Sequence, residues 1–353
     1  MKTLLHMSPD RLAELLSHFP RLRIAVIGDF FLDKYLDVDP SLAGVSLETG
    51  KTAHQVVSVR RSPGAAGTVV SNLAALGAGT LHAIGFTGDD GESYELRTGL
   101  KTLGCGTDHL HCDARRMTPT YLKPRDTTDP SLAGEHSRYD TKNRAPTSAA
   151  TQEKILQSLD ALLGQLDAVI AADQVEEEEC GVITSRIRQA LADRAERFPS
   201  VVFWADSRRR IRQFRGVITK PNQFEAVGRE NPPPDATVGF EELGDALGRL
   251  RRETGAPICA TRGAGGMVVS DPEPTHVPGV RVEGPIDPTG AGDSVTAGAV
   301  LALAAGAALP EAALVGNLVA SITIQQLATT GTARPDQLPD RLEMWLRRPK
   351  ANE

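Results

Sequence analysis

Asp287-Pro288-Thr289-Gly290-Ala291-Gly292-Asp293-Ser294 is the stretch on which the reading of the whole chain turns. Two carboxylates flank a Gly-Ala-Gly turn, and a long helix of small residues is expected from about Ser294. Glycines let backbone N–H groups converge on an anion without side-chain obstruction, and the helix start adds the positive end of its dipole. Asp293 stands beside that anion hole. A carboxylate there can take a proton from a hydroxyl that attacks a phosphoryl group. Residue chemistry alone leaves a second reading open, a Gly-rich turn that only starts a helix.

Outward from the turn the pattern alternates. A helix ending near Leu166 leads to the apolar run 168–172 and then Asp173; a helix through Arg197 leads to the run 201–205 and then Asp206. Residues 23–28, followed by Asp29, and residues 80–85 are two more such runs. Strands alternating with helices predict a parallel sheet covered on both faces. Ligands of such sheets gather beyond the carboxyl ends of the strands. Asp33, in a loop expected over residues 30–35, is therefore a candidate for holding substrate hydroxyls, set against a solvated loop carboxylate. Asp173 and Asp206 stand at strand ends and can line the cleft. Glu176 to Glu179 read as the solvated start of a helix, and Arg208 to Arg210 as either a phosphate clamp or a solvated basic face.

The bulk properties fit this picture. A chain of 353 residues with 33 glycines and 4% aromatics has a globular α/β composition. A net charge of −6 offers no basic excess for nucleic acid. Cys105, Cys112, Cys180 and Cys259 form no CxxC pair, so reduced thiols and a cytoplasmic location are expected, with neither zinc site nor disulfide scaffold. The most apolar run, 297–309, is too short to span a bilayer and reads as a buried helix.

Further motifs surround the core pattern. Residues 46–60 read as a half-covered hairpin. Gly44 with Gly50-Lys51-Thr52 imitates a phosphate loop, but five residues separate the glycines where four are needed. Asn222 and Glu225 follow a strand and share one helix face, where a carboxylate can order water around Mg²⁺ and an amide can touch phosphate, or where both can cap the helix. Thr261-Arg262-Gly263-Ala264-Gly265-Gly266 is a Gly-rich turn between two strands.

The opening string closely resembles the Asp-Thr-Thr-Gly-Ala-Gly-Asp motif of the ribokinase (PfkB) family of sugar kinases, with Pro288 at its second position. Other segments resemble that family in the same order, over about residues 23–332. Gly28-Asp29 and Asp33 resemble the first substrate-contact segment of the heptose-phosphate kinase branch. Residues 63–68 match the Gly-Gly-x-x-Asn sugar segment in part: Gly64 fits, Ala65 replaces the second glycine, and Thr68 stands where Asn is usual. Asn222 and Glu225 match Asn-x-x-Glu, and Thr261, Gly263 and Gly266 match the segment along the nucleotide. Asn317 falls where the family approaches adenine, with helix packing the other reading.

The resemblance implies a ribokinase-like three-layer α/β/α domain over residues 1–353, with a small β lid from segments of about 36–62 and 112–142 whose tip is 126–134. It implies ATP as phosphoryl donor, Mg²⁺ with its water shell arranged by Glu225, and a K⁺ or similar ion at Asp287. Asp293 would be the base, with the N–H groups of Gly290, Ala291 and Gly292 on the transferring group. Asp29, Asp33, Gly64, Thr68 and Arg138 would meet a sugar or sugar-phosphate acceptor, Arg138 against the alternative of a surface residue. A homodimer through the lid is implied as well, and the chain ends before the nucleotidyltransferase domain that often follows in the heptose branch. Two rival readings remain: a kinase of a nucleoside or other non-sugar alcohol, and a non-catalytic nucleotide-binding protein on the same fold.

Overall fold

The structure is a computed structural model that describes residues 1–129, 134–233, 235–327 and 329–347. The chain opens with β1 (Lys2–Thr3) and the amphipathic α1 (Pro9–His18), whose first turn is capped by Ser8 accepting from the Arg11 N–H. After β2 (Arg23–Gly28) it leaves the core for a long antiparallel hairpin, β3 (Phe30–Val45) and β4 (Thr52–Ala65). It returns through α2 (Ala66–Ala75), β5 (Thr80–Thr87), α3 (Gly91–Thr102), β6 (Cys105–Gly106) and β7 (Leu110–Cys112). It goes out once more for β8 (Thr120–Asp126) and β9 (Tyr139–Thr141). Then come α4 (Ala149–Leu163), β10 (Ala168–Asp173), α5 (Ser185–Arg197), β11 (Val202–Ser207), β12 (Ile218–Thr219), α6 (Gln223–Val227) and α7 (Phe240–Thr254). The last part adds β13 (Cys259–Thr261), β14 (Met267–Val269), β15 (Thr275–Val277), α8 (Ala291–Ala304), α9 (Leu309–Thr323) and α10 (Leu338–Leu346).

The central sheet runs β12-β11-β10-β2-β5-β6, with β7 also against β5, and all of these pairs are parallel. Alternate residues of one strand enter two different cores. Ile24 and Val26 of β2, Ile170 of β10 and Trp204 of β11 meet side chains of α1, α2, α8, α9 and α10. Ala25 and Ile27, Val169 and Phe203 meet α4 and α5 instead. That period of two is why the strands read as unbroken apolar runs, and it makes the three layers. Beyond β12 the sheet continues through isolated parallel bridges, Thr219 with Ile258 and Asn222 with Thr261, into a second sheet ordered β13-β14-β15-β1.

The lid is a four-stranded sheet, β4-β3-β8-β9. Several expectations change here. Residues 30–35 are the first part of β3 rather than a loop, so the lid starts at Phe30 and runs to Ala65. Phe30, Phe31, Leu32 and Asp33 are all buried, which hides the strand's alternation. Of the expected lid tip, 130–133 lie outside the described residues, as does Pro234 in the loop expected at 231–234. Gly50 and Lys51 lie in the connection of the hairpin and Thr52 opens β4, in keeping with their rejection as a phosphate loop. Glu176 to Glu179 do not start a helix. α5 begins at Ser185 under a Thr184 cap, and Glu179, at φ 59°, accepts from the Ser185 N–H while Glu176 pairs with Arg208. Nor is Arg210 solvated: it is buried and makes a bidentate pair with Asp173. The four cysteines are free, and among the described residues no helix is long and apolar enough to cross a membrane.

Candidate active site

Gly290 is the N-cap of α8, at φ 76°, a left-handed conformation that favours glycine. Ala291, Gly292 and Asp293 form the first helical turn, three residues earlier than the sequence suggested. The Ala291 N–H closes the turn onto the Pro288 carbonyl at 3.1 Å. The turn is pinned from behind, because the buried Asp287 accepts from the Thr289 N–H at 3.0 Å and its own N–H donates to the Ile324 carbonyl at 2.7 Å.

Charges from three elements converge on this turn. Asp206 is the next-to-last residue of β11, Lys220 follows β12, and their side chains pair at 2.7 Å with little exposure. A Cβ on Gly292 would stand 3.3 Å from Lys220 Nζ, so the ammonium lies directly against the first turn of α8. The Thr296 hydroxyl donates to Asp206 at 3.4 Å. Desolvation, then the charges of Asp206 and Asp33 opposed by Lys220, push the Asp293 carboxyl up to about 7. Burial works against the charge of Lys220, but Asp206 chiefly, with Asp293 and Glu225, holds its pKa above the ordinary lysine value. A carboxylate poised near neutrality beside a cation and a helix N-terminus can accept a proton while negative charge is held next to it.

The residues expected to meet a nucleotide form one strip. Asn222 bridges Thr261, the Thr261 N–H donates to the Pro221 carbonyl at 2.9 Å, and the turn 263–266 follows. That turn packs so tightly that a Cβ on Gly266 would stand 2.2 Å from the Val277 carbonyl oxygen. Asn317, on α9, donates to the Val277 and Pro278 carbonyls at 3.1 and 3.3 Å. Asn222 and Glu225 are also a complete capping box for α6: Asn222 Oδ1 accepts from the Phe224 and Glu225 N–H groups, and Glu225 Oε2 accepts from the Asn222 N–H at 2.7 Å. Burial raises the Glu225 carboxyl, with Asp206 acting in the same sense.

On the other side of Asp293 stand residues of the lid and α2. Asp33, on β3, is buried, and its Oδ2 would be 2.6 Å from a Cβ on Gly64, so glycine there leaves room for the carboxylate. Thr68, in α2, is buried, and its methyl would be 3.4 Å from a Cβ on Gly290, which joins this side to the turn that opens α8. Between them Ala65 holds φ 54° and ψ −116°, a conformation that suits the glycine it replaces. Two expected residues are occupied otherwise. Asp29 is buried and accepts N–H bonds from Gln174, Val175 and Val182, so its carboxylate ties the 174–182 segment to β2. Burial, then Asp173, raises it to about 6 against those bonds. Arg138 lies over the Tyr121 ring at 4.5 Å and is paired with Asp140 at 2.7 Å.

Lys220, and Lys123 on β8, whose Nζ lies 2.9 Å from Asp33 Oδ1, were not singled out by sequence. The one signal for Lys220 was its place at a strand end just before Asn222; Lys123 gave none, since its partner is 90 residues away in the chain.

The family model described as "pfkB family carbohydrate kinase" matches residues 22–336, a span that contains every residue of the site. The chain belongs to the pfkB family of carbohydrate kinases. It is 29% identical over 329 residues to the bifunctional protein HldE of Caulobacter vibrioides, covering 91% of this chain and 63% of that protein. It is 30% identical over 323 residues to HldE of a Nitratiruptor species, covering 88% of this chain and 63% of that protein. It thus spans less than two thirds of the length of these relatives. Among solved structures it resembles ribokinase of Cryptococcus neoformans (TM-score 0.63, 19% identity, 91% of this chain and 99% of that one). It also resembles phosphofructokinase-2 of Escherichia coli (TM-score 0.65, 17% identity, 92% and 100%). Both likenesses confirm the ribokinase-like three-layer fold of this pfkB-family kinase.

Proposed function

We propose that this kinase transfers the γ-phosphoryl group of ATP to a hydroxyl of a sugar or sugar phosphate, with a heptose phosphate as the model acceptor. The observation that carries the reading is the raised carboxyl of Asp293, about 7, at the start of α8 and beside Lys220. Asp293 accepts the proton of the acceptor hydroxyl as its oxygen bonds to the γ-phosphorus and the bond to the β-bridging oxygen breaks, releasing ADP. Backbone N–H groups at Gly290 and Gly292, together with the Lys220 ammonium, stabilise the charge on the transferring group, while the Ala291 N–H, expected to share that role, is held by the Pro288 carbonyl. Asp33 accepts from further acceptor hydroxyls, and Gly64 and Thr68 shape their surroundings.

The nucleotide lies along Asn222, Thr261, Gly263, Gly266 and Asn317. The ADP complex of the Cryptococcus ribokinase and the ribose–ATP complex of the Arabidopsis thaliana enzyme support a donor of this kind. Among the described residues no three acidic, His or Cys side chains gather to hold a metal. The Glu225 carboxylate beside the nucleotide strip fits Mg²⁺ held by phosphates and water, with Glu225 orienting the water shell and the ion neutralising phosphate charge. The buried carboxylate of Asp287 fits a monovalent cation behind the turn, a role tested by exchanging K⁺ for Na⁺ during turnover.

A homodimer through the lid belongs to the same proposal. β4 is an edge strand of the lid sheet, and the hairpin exposes Leu42, Val45, Leu47, Val56 and Val57. Sedimentation of Leu47→Asp should give monomer where the parent gives dimer.

The test of the reaction is ATP consumption against a panel of sugars and sugar phosphates with Mg²⁺ and K⁺ present. An acceptor phosphorylated by the parent and not by Asp293→Asn upholds the proposal. Silence across the panel with bound ATP removes it.

A further inference from the structure

Trp345 lies on α10, beyond the span that the family match covers and outside every element of the candidate site. It is 1% exposed and packs into the core that also takes in Val277 and Val280. A buried indole N–H needs an acceptor, and here Nε1 donates to the Pro278 carbonyl at 2.8 Å. Asn317 of α9 donates to the same oxygen at 3.3 Å and to the Val277 oxygen at 3.1 Å. A carbonyl oxygen has two lone pairs, so two helices share this one. The proline offers no N–H, and the chain forms neither helix nor strand from Pro278 to Gly290. The Pro278 carbonyl is therefore the handle by which side chains hold the start of that stretch.

What these bonds hold lies against the donor strip. The turn at 263–266 and residues 277–279 pack with no space between them. A Cβ on Gly266 would stand 2.3 Å from the Gly279 nitrogen and 2.6 Å from the Pro278 carbonyl carbon, and one on Gly279 would stand 2.5 Å from the Ala264 oxygen. A close-packed contact transmits a shift rather than absorbing it. When Pro278 moves, the turn moves with it, and the backbone beside the proposed nucleotide loses its fixed shape. Backbone contacts to a ligand count most when they are set before it arrives. The rest of the stretch is tied in the same manner. Gln325 donates to the Glu283 carbonyl at 3.4 Å, Arg341 of α10 donates to Gln325, and the Asp287 N–H donates to the Ile324 carbonyl.

We propose that Trp345 is a positioning residue of the donor site: its indole N–H, acting through the Pro278 carbonyl, holds the 263–266 turn in the shape that binds the nucleotide. This rests on the kinase reading above and adds to its donor side a helix that stands behind the strip. Trp345 acts on nucleotide affinity, so its removal leaves the proton transfer at Asp293 and the acceptor residues of the lid in place.

The experiment uses the full chain and two substitutions that separate the N–H from the packing. Trp345→Phe keeps a six-membered ring and removes the donor. Trp345→His keeps a five-membered ring whose Nε2 takes the place of the indole Nε1, and gives up the rest of the volume. Calorimetric binding of ATP and ADP with Mg²⁺, melting without nucleotide, and turnover of an acceptor from the panel are measured for the parent and both variants. Trp345→Phe should bind ADP roughly five- to tenfold more weakly, as for one lost neutral hydrogen bond. Trp345→His should recover part of that affinity although it melts lower, because it leaves the larger cavity. In turnover the loss for Trp345→Phe should appear in KM for ATP, with kcat and the acceptor KM nearly unchanged. Binding by Trp345→Phe equal to that of the parent overturns the proposal. So does an affinity that falls in the order of the melting temperatures, His below Phe, or an equal rise in both KM values, since packing alone gives these results. If Trp345→His does not fold, the ADP affinity of Trp345→Phe decides, read against its acceptor KM. A parent that binds neither nucleotide removes the kinase reading and this role with it; a parent and a Trp345→Phe that bind alike remove only the role of Trp345.

Discussion

The two sides of Asp293 are built by different means. The donor side is made of backbone and strand ends: the first turn of α8, the bridge between Asn222 and Thr261, and the packed turn at 263–266. Little there depends on a long side chain except Lys220. The acceptor side is made of side chains carried on lid strands, with Asp33 and Lys123 facing each other across β3 and β8. Backbone geometry suits a phosphate chain common to a whole family of kinases, while side chains on a separate sheet can change with the acceptor. On the proposed reading, the difference teaches that specificity for the acceptor would reside in the lid.

The largest effect should come at the junction of the two sides. Asp293→Asn should lower kcat by about 10²–10⁴ while ATP still binds, as measured by steady-state kinetics and nucleotide titration. The same change should stabilise the fold above neutral pH. The raised carboxyl of Asp293 means that the folded chain holds a proton that the unfolded chain has released, so stability falls as pH rises towards about 7. A melting series in pH should show a smaller fall in the variant.

On the donor side, Lys220→Met should reduce kcat by about 10². Lys220 lowers the Asp293 pKa, so its loss should also move the rising limb of the pH profile to higher pH. An unchanged kcat would mean that the donor side is backbone alone. On the acceptor side, Gly64→Ala should raise the acceptor KM about tenfold with little change in that for ATP, because the new methyl meets Asp33 Oδ2. Equal changes in both constants would dissolve the division into sides. The smallest effect concerns the lid's junction with α2: Ala65→Gly should stabilise the protein by about 1 kcal/mol in denaturant unfolding, since it relieves a left-handed alanine.

The same division explains what was legible in the sequence. The parallel strands were readable because their apolar runs face two cores, and the string 287–293 because backbone turns demand particular small residues. The start of the lid was not, because four consecutive buried residues, Phe30 to Asp33, conceal a strand's alternation. Glu176 to Glu179 looked like a helix start by charge, but Glu176 serves Arg208 and Glu179 the backbone of the next helix. Asp29 was correctly placed at a strand end, yet the three N–H groups it accepts from come from 174–182, a segment whose proximity only the fold creates. Lys123 and Asp33 form an ion pair only through strand register, which spacing along a chain does not express.

The most direct test of the central claim is the pH profile of kcat/KM for the parent beside Asp206→Asn and Asp293→Asn. Activity of the parent should rise through about pH 7 as Asp293 loses its proton. With Asp206 neutralised the rise should move to lower pH, because a charge that raises the Asp293 carboxyl is gone. With Asp293 replaced, the residual activity should no longer follow that limb. A limb that survives Asp293→Asn unchanged would contradict the assignment of Asp293 as the base.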